Sequence, residues 1–224
     1  MRMTMRFSLF IVSILALLTA RAPAQPASRP APFENEIRAF ETADRKQAPP
    51  QHANLFLGSS SIRKWTTLAQ DFPNAKVINR GFGGSQIADS TRYADRIVIP
   101  YHPERIFFYA GDNDLAAGKS PQQVLAEFDA FIQKVRPALP ECDIYFISIK
   151  PSPSRAGLLD KMREANRLIE KYIQQKPHLA FIDVFTPMLG ADGKPRPELF
   201  VSDMLHMNPK GYAIWTAKLA PLVK

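Results

Sequence analysis

Five short apolar runs, separated by stretches with helical spacing, constrain this chain more than any other feature of its sequence. They are Asn54–Leu57, ended by Gly58; Ala75–Asn79, followed by Arg80-Gly81; Arg105–Ala110, ended by Gly111; Asp143–Ile149; and Leu179–Val184. Each is a near-continuous run rich in β-branched or aromatic residues, which suits strands buried on both faces of a parallel sheet. Between them, Ser120-Pro121-Gln122-Gln123 reads as a capping box with proline at the first helical position. Val124, Phe128, Phe131 and Val135 follow at helical spacing, and Pro137 stops the run. Leu158, Met162, Ala165, Ile169 and Tyr172 mark a second amphipathic helix. Asn208-Pro209 opens a last helix whose buried stripe is Tyr212, Trp215, Leu219 and Leu222. Phe33–Asp44 and Ile87–Arg96 are expected to be helical as well. The alternation predicts an α/β fold, a three-layer α/β/α sandwich around a five-stranded parallel sheet.

Composition narrows the class. With 224 residues, 46% hydrophobic and 22% charged, the chain is neither largely disordered nor a polytopic membrane protein. One cysteine, Cys142, excludes an internal disulfide, a four-cysteine zinc site and a CxxC redox motif. The N-terminus has the form of a targeting segment. Two arginines lie in Met1–Arg6, an apolar run spans Phe7–Leu18, and Ala22-Pro23-Ala24 offers a small-x-small cleavage pattern. The apolar run is about 12 residues, short of the ~20 that a bilayer needs. Residues 1–24 are therefore expected to be a signal peptide, 25–32 a flexible lead-in and 33–224 the folded domain. The expected location is outside the cytoplasm, periplasmic or secreted, with no stable membrane insertion once the leader is cleaved. The formal net charge is +8, or about +5 without leader arginines Arg2, Arg6 and Arg21. No basic helix, aromatic-interleaved run or zinc-finger spacing accompanies that charge, so no nucleic-acid partner is expected.

In a parallel sheet ligands bind beyond the carboxyl ends of the strands. That rule selects Gly58–Ile62, Arg80–Gln86, Gly111–Leu115, Lys150–Arg155 and the segment after Val184. In the first loop, Gly58-Ser59-Ser60-Ser61, a serine at a helix start can face a substrate or simply cap the helix. The second, Gly81-Phe82-Gly83-Gly84, permits close backbone approach to a ligand or is a tight turn; it has no GxGxxG spacing and no Walker lysine. In the third, Gly111-Asp112-Asn113-Asp114, the polar residues form an Asx-turn cluster or Asn113 donates to a developing oxyanion. Near the end, Asp203-Met204-Leu205-His206 offers a general base and a residue to orient it. No second histidine stands near enough for a usual metal set. His52, His102 and His178 read as structural.

The order of these signals resembles the SGNH (GDSL-type) hydrolase superfamily over residues 54–224. Its four letters name a serine after the first strand, a glycine after the second, an asparagine after the third and a late histidine. Carried over by position, the family's Gly-Asp-Ser-Leu block falls on Gly58-Ser59-Ser60-Ser61, so Ser60 takes the nucleophile's place. Ser59 and Ser61 replace the motif's aspartate and leucine. The Gly-x-Gly-Gly block puts the oxyanion glycine at Gly84, Gly-x-Asn puts the side-chain donor at Asn113, and Asp-x-x-His falls on Asp203 and His206. The resemblance implies a flavodoxin-like sheet. It also implies a Ser60–His206–Asp203 triad and an oxyanion hole from the N–H groups of Ser60 and Gly84 and the Asn113 amide. No metal or organic cofactor is implied.

The expected reaction is hydrolysis of short acyl esters, acetyl above all, on a small molecule or a polysaccharide. No long apolar insertion resembles an interfacial lid, and the loops after the strands are short and polar. The competing readings are a lysophospholipase or lipase-type acylhydrolase and a catalytically silent carbohydrate-binding domain. A Mg²⁺-dependent phosphoryl-transfer enzyme using Asp112, Asp114 and Asp203 is a further alternative. Trp65, Phe82 and Phe200 are either sugar-stacking platforms or core residues.

Overall fold

Buried apolar strands need both faces covered, and the chain covers them in sequence order. The structure is a computed structural model, and it describes residues 31–224. The leader and most of the 25–32 lead-in lie outside the described residues. Helix α1 (Glu34–Lys46) is followed by β1 (Asn54–Gly58), α2 (Ser60–Arg63), α3 (Leu68–Asp71), β2 (Val77–Gly81) and α4 (Ile87–Ile97). Then come β3 (Arg105–Tyr109), α5 (Asp112–Ala116), α6 (Pro121–Val135), β4 (Asp143–Ile147), α7 (Leu159–Ile173), β5 (Leu179–Ile182) and α8 (Pro209–Leu219). The five strands run in the order β2-β1-β3-β4-β5, and every pairing is parallel.

Alternate strand residues feed two cores. Leu55, Leu57, Ile106, Phe108 and Phe146 face α1, α4, α6 and α7. Phe56, Phe107, Tyr109 and Ile147 face α2, α3 and α8 through Trp65, Phe72, Tyr212 and Trp215. Trp65 and Trp215 sit edge to face with centroids 5.9 Å apart. Burial of each such ring contributes roughly 2–3 kcal/mol. Trp65, Phe82 and Phe200 are all buried, so they are core residues rather than stacking platforms.

Local signals account for the helix starts. Ser120 and Gln123 form the reciprocal capping box with Pro121 behind it. The Asn208 side chain accepts from the N–H groups of Lys210 and Gly211. At β2, β4 and β5 polar partners set where the strand ends. Strand β2 continues through Arg80 because that side chain is buried, with its guanidinium on Asp44 and the Tyr101 hydroxyl. Strand β4 stops before Ser148-Ile149 because the Asn166 amide takes over both backbone groups of Ile149. Strand β5 stops at Ile182, and the N–H groups of Val184 and Phe185 turn to the Ser148 hydroxyl. Residues 153–158 form a 3₁₀ turn, so α7 starts at Leu159.

The strand order reverses between β1 and β3. In a doubly wound sheet that crevice is where a ligand meets the strand ends, and the loops after β1 and β3 carry Ser60 and Asn113.

Candidate active site

Strand β1 ends at Gly58, whose φ is +137° and whose Cβ would fall 1.8 Å from the Tyr109 carbonyl oxygen. Only glycine allows this close approach to β3. The chain then turns at buried Ser59, whose N–H donates to Tyr109 O, and Ser60 opens α2. The Tyr212 hydroxyl of α8 donates to Ser61 O at 2.9 Å and ties this turn to the last helix.

The segment before α8 brings the histidine. A bridge between Phe200 and Met207 pinches off a short loop, closed by the Val201 N–H donating to His206 O. Inside it, Asp203 Oδ1 accepts from the N–H groups of Leu205 and His206 at 2.9 and 2.8 Å. Asp203 Oδ2 lies 2.6 Å from His206 Nδ1, and His206 Nε2 lies 3.0 Å from Ser60 Oγ. With Nδ1–H donating to the carboxylate, Nε2 is free to accept the Ser60 O–H. The hydrogen bond from the imidazole, followed by those from the backbone, holds the Asp203 carboxyl well below the usual carboxylate range. This is the geometry of a hydroxyl activated by an oriented base.

The glycine loop and the third loop meet beside it. Gly84 is exposed with φ +82°, a backbone state that a side chain would strain. The next residue's carbonyl, Ser85 O, accepts from Asn113 Nδ2 at 3.0 Å. Asn113 Oδ1 accepts from Arg155 Nη2 at 3.0 Å. One Nδ2 hydrogen of Asn113 remains for a ligand.

Asp112 and Asp114, the third loop's two carboxylates, turn inward. Asp112 faces Arg155 and Lys150, and Asp114 faces Lys119. They and Asp203 therefore meet different partners rather than one another. Among the described residues no group of three or more His, Cys, Asp or Glu side chains is disposed to hold a metal ion. The sequence rule selected Lys150–Arg155 as a loop to inspect but assigned no role within it. The structure brings both of its end residues to the third loop.

A doubly wound sheet with Ser, Gly, Asn and His at one edge defines the SGNH class of α/β/α hydrolases. The chain belongs to the GDSL-like lipase/acylhydrolase family, whose family model matches residues 51–214. It is a carboxylic ester hydrolase. Comparison with curated proteins gives no match. Among solved structures it is similar to a candidate platelet activating factor from Streptococcus pneumonia, with TM-score 0.75, 20% identity, 85% of this chain and 92% of that one covered. A GDSL-like lipase from Bacteroides thetaiotaomicron aligns with TM-score 0.71 and 20% identity over 84% of this chain and 96% of that one. An acetylxylan esterase from Geobacillus stearothermophilus, solved as a catalytic mutant, aligns with TM-score 0.62 and 13% identity over 77% and 94%. At these identities the likenesses show the fold.

Proposed function

We propose that this chain is an exported serine esterase that removes short acyl groups, acetyl above all, from a carbohydrate carrier. The observation that carries this reading is the single line from Asp203 through the His206 ring to Ser60 Oγ, at 2.6 and 3.0 Å. In the first step Ser60 Oγ attacks the ester carbonyl as its proton passes to His206 Nε2, and Asp203 stabilises the imidazolium. The oxyanion is held by the N–H groups of Ser60 and Gly84 and by the free Asn113 amide hydrogen. His206 then gives the proton to the leaving alcohol as its C–O bond breaks. Water, activated by the same imidazole, releases the acid and restores Ser60.

The short-chain assignment has its support in the short polar loops after β1, β2 and β3 and in the fold-level likeness to an acetylxylan esterase. Export has its support in the leader-like residues 1–24, with 25–32 as lead-in and 33–224 as the catalytic domain. N-terminal sequencing of the secreted protein should begin at Gln25; a retained Met1 overturns export by cleavage.

A second reading has its own observation. Val201 and Met204 on the His206 loop are exposed, and Val201 and Met207 help line a groove of about 580 Å³ against α8. Such an apolar side would favour a longer chain, as in a lysophospholipid. The deciding experiment is kcat/KM on p-nitrophenyl acetate, octanoate and palmitate, with acetate release from acetylated xylan beside it. A value that falls with chain length supports the acetyl reading, and one that climbs overturns it. Absence of labelling by a fluorophosphonate probe would overturn the serine chemistry itself.

A further inference from the structure

An asparagine that serves an oxyanion has a problem of orientation. Its C=O and NH₂ ends are nearly the same shape, and the wrong end aims a carbonyl at the developing negative charge. In this chain two partners settle the choice. Ser85 O can only accept, and it takes one hydrogen of Asn113 Nδ2 at 3.0 Å. The Arg155 guanidinium can only donate, and its Nη2 meets Asn113 Oδ1 at 3.0 Å. A flipped amide would set NH₂ against guanidinium and carbonyl against carbonyl.

We infer that Arg155 is a positioning residue for ester hydrolysis: it locks the Asn113 amide so that the free Nδ2 hydrogen faces the oxyanion. The inference rests on the reading of Asn113 as an oxyanion donor.

Arg155 is itself held in place. Its Nη1 lies 2.5 Å from Asp112 Oδ1, an ion-pair contact off the line of its N–H bonds. The Asp112 carboxylate is buried, and its Oδ2 lies 3.5 Å from Nζ of Lys150, a lysine only 1% exposed. Lys150 Nζ donates to Leu205 O at 2.9 Å, the carbonyl just before His206, and rests over the Phe200 ring. The neighbouring Ser154 N–H donates to Met204 O. Buried polar groups are costly unless paired, and this set of a guanidinium, a carboxylate and a lysine runs from Asn113 to the His206 loop.

The test is a double-mutant cycle on p-nitrophenyl acetate with Arg155→Met, Arg155→Lys and Asn113→Ala. Arg155→Met should lower kcat by about 10- to 100-fold with KM within about twofold, and Arg155→Lys should recover part of the loss. In the Asn113→Ala background the same Arg155→Met change should cost less than about threefold, because the group it orients is gone. An equal loss in both backgrounds, or no loss in the native one, overturns the proposal. Should Arg155→Met fail to fold, by its melting temperature, Arg155→Lys completes the cycle under the same criteria. An Asn113→Ala variant with native kcat overturns the oxyanion reading as well, which separates the two failures.

Discussion

Two aspartate–histidine pairs stand at opposite ends of the sheet. At the amino end, just before β5, His178 Nδ1 lies 3.0 Å from Asp143 Oδ1, and its Nε2 faces Glu141 at 3.6 Å. At the carboxyl end, His206 Nδ1 lies 2.6 Å from Asp203, and its Nε2 faces Ser60 Oγ. The pairs share an orienting carboxylate. They differ in what the second nitrogen meets: another carboxylate in one case, a hydroxyl at the end of a buried strand in the other. Strand direction decides this. Parallel strands deliver the loops after β1, β2 and β3 to one edge, and the last loop before α8 folds onto that edge. An oriented imidazole becomes a base for nucleophilic catalysis only where the topology also supplies the nucleophile and the oxyanion donors.

The largest effect should break the carboxyl-end pair at its hydroxyl. Ser60→Ala should lower kcat on p-nitrophenyl acetate by on the order of 10⁶, the scale seen when a serine triad loses its nucleophile. Ser59 and Ser61 are buried, and His206 Nε2 bonds to neither. Ser59→Ala and Ser61→Ala should therefore keep activity. A Ser60→Ala enzyme with near-native turnover would move the nucleophile to another residue.

The carboxylates come next. Asp203→Asn should lower kcat by about 10⁴, because the imidazole loses the partner that fixes its tautomer. His178→Ala should leave kcat within about twofold. Hydrogen bonds from the His206 ring and from two backbone N–H groups keep Asp203 ionised well into acid. Any loss of activity on mild acidification therefore comes from another group. Equal damage from the two changes would mean that the amino-end pair also contributes to turnover.

Asn113→Ala should cost about 10²–10³ in kcat and little in KM, as expected for one oxyanion donor. Steady-state kinetics on the acetate ester check it. A rise in KM at constant kcat would make Asn113 a ground-state contact instead.

Much of this site was legible because its signals are local. The five apolar runs, the Ser120–Gln123 box and the Asn208-Pro209 start each declare themselves within a few residues. The serine, glycine, asparagine and histidine blocks stand in the order that the sheet brings together. What escaped was carried by charges that sequence patterns assign to the surface. Arg80, Asp112 and Lys150 are buried because their partners come from distant segments, and no periodicity marks such a pairing. Arg80 for this reason extends β2 past the apolar run. The Gln86–Asp89 box that starts α4 was hidden because glutamine is not a usual cap residue.

The smallest effect is expected at Asp114, which sharpens the comparison within the carboxyl end itself. Asp203, on the loop before α8, and Asp114, on α5, lie at the same edge, yet their acidities move in opposite directions. Asp203 is lowered by hydrogen bonds. Asp114 is fully buried, and burial first, then its neighbour Glu127, raises it from 3.8 to about 6. It accepts from the Ile87 N–H at 3.3 Å and from Lys119 Nζ at 2.9 Å, and Lys119 also holds Glu127. A raised carboxyl means that between about pH 4 and pH 6 the folded chain keeps a proton that the unfolded chain has lost. Stability from this group is present at the acid side of that window and lost as pH rises through it, by on the order of 2–3 kcal/mol. Melting temperatures measured from pH 4 to pH 7 should show that fall in the native enzyme. Asp114→Asn should flatten it by several degrees while kcat at pH 7 stays within a few-fold. An Asp114→Asn variant with the native slope would assign the pH dependence to another group. One with a collapsed kcat would draw Asp114, through its bond to the Ile87 N–H, into the support of the glycine loop.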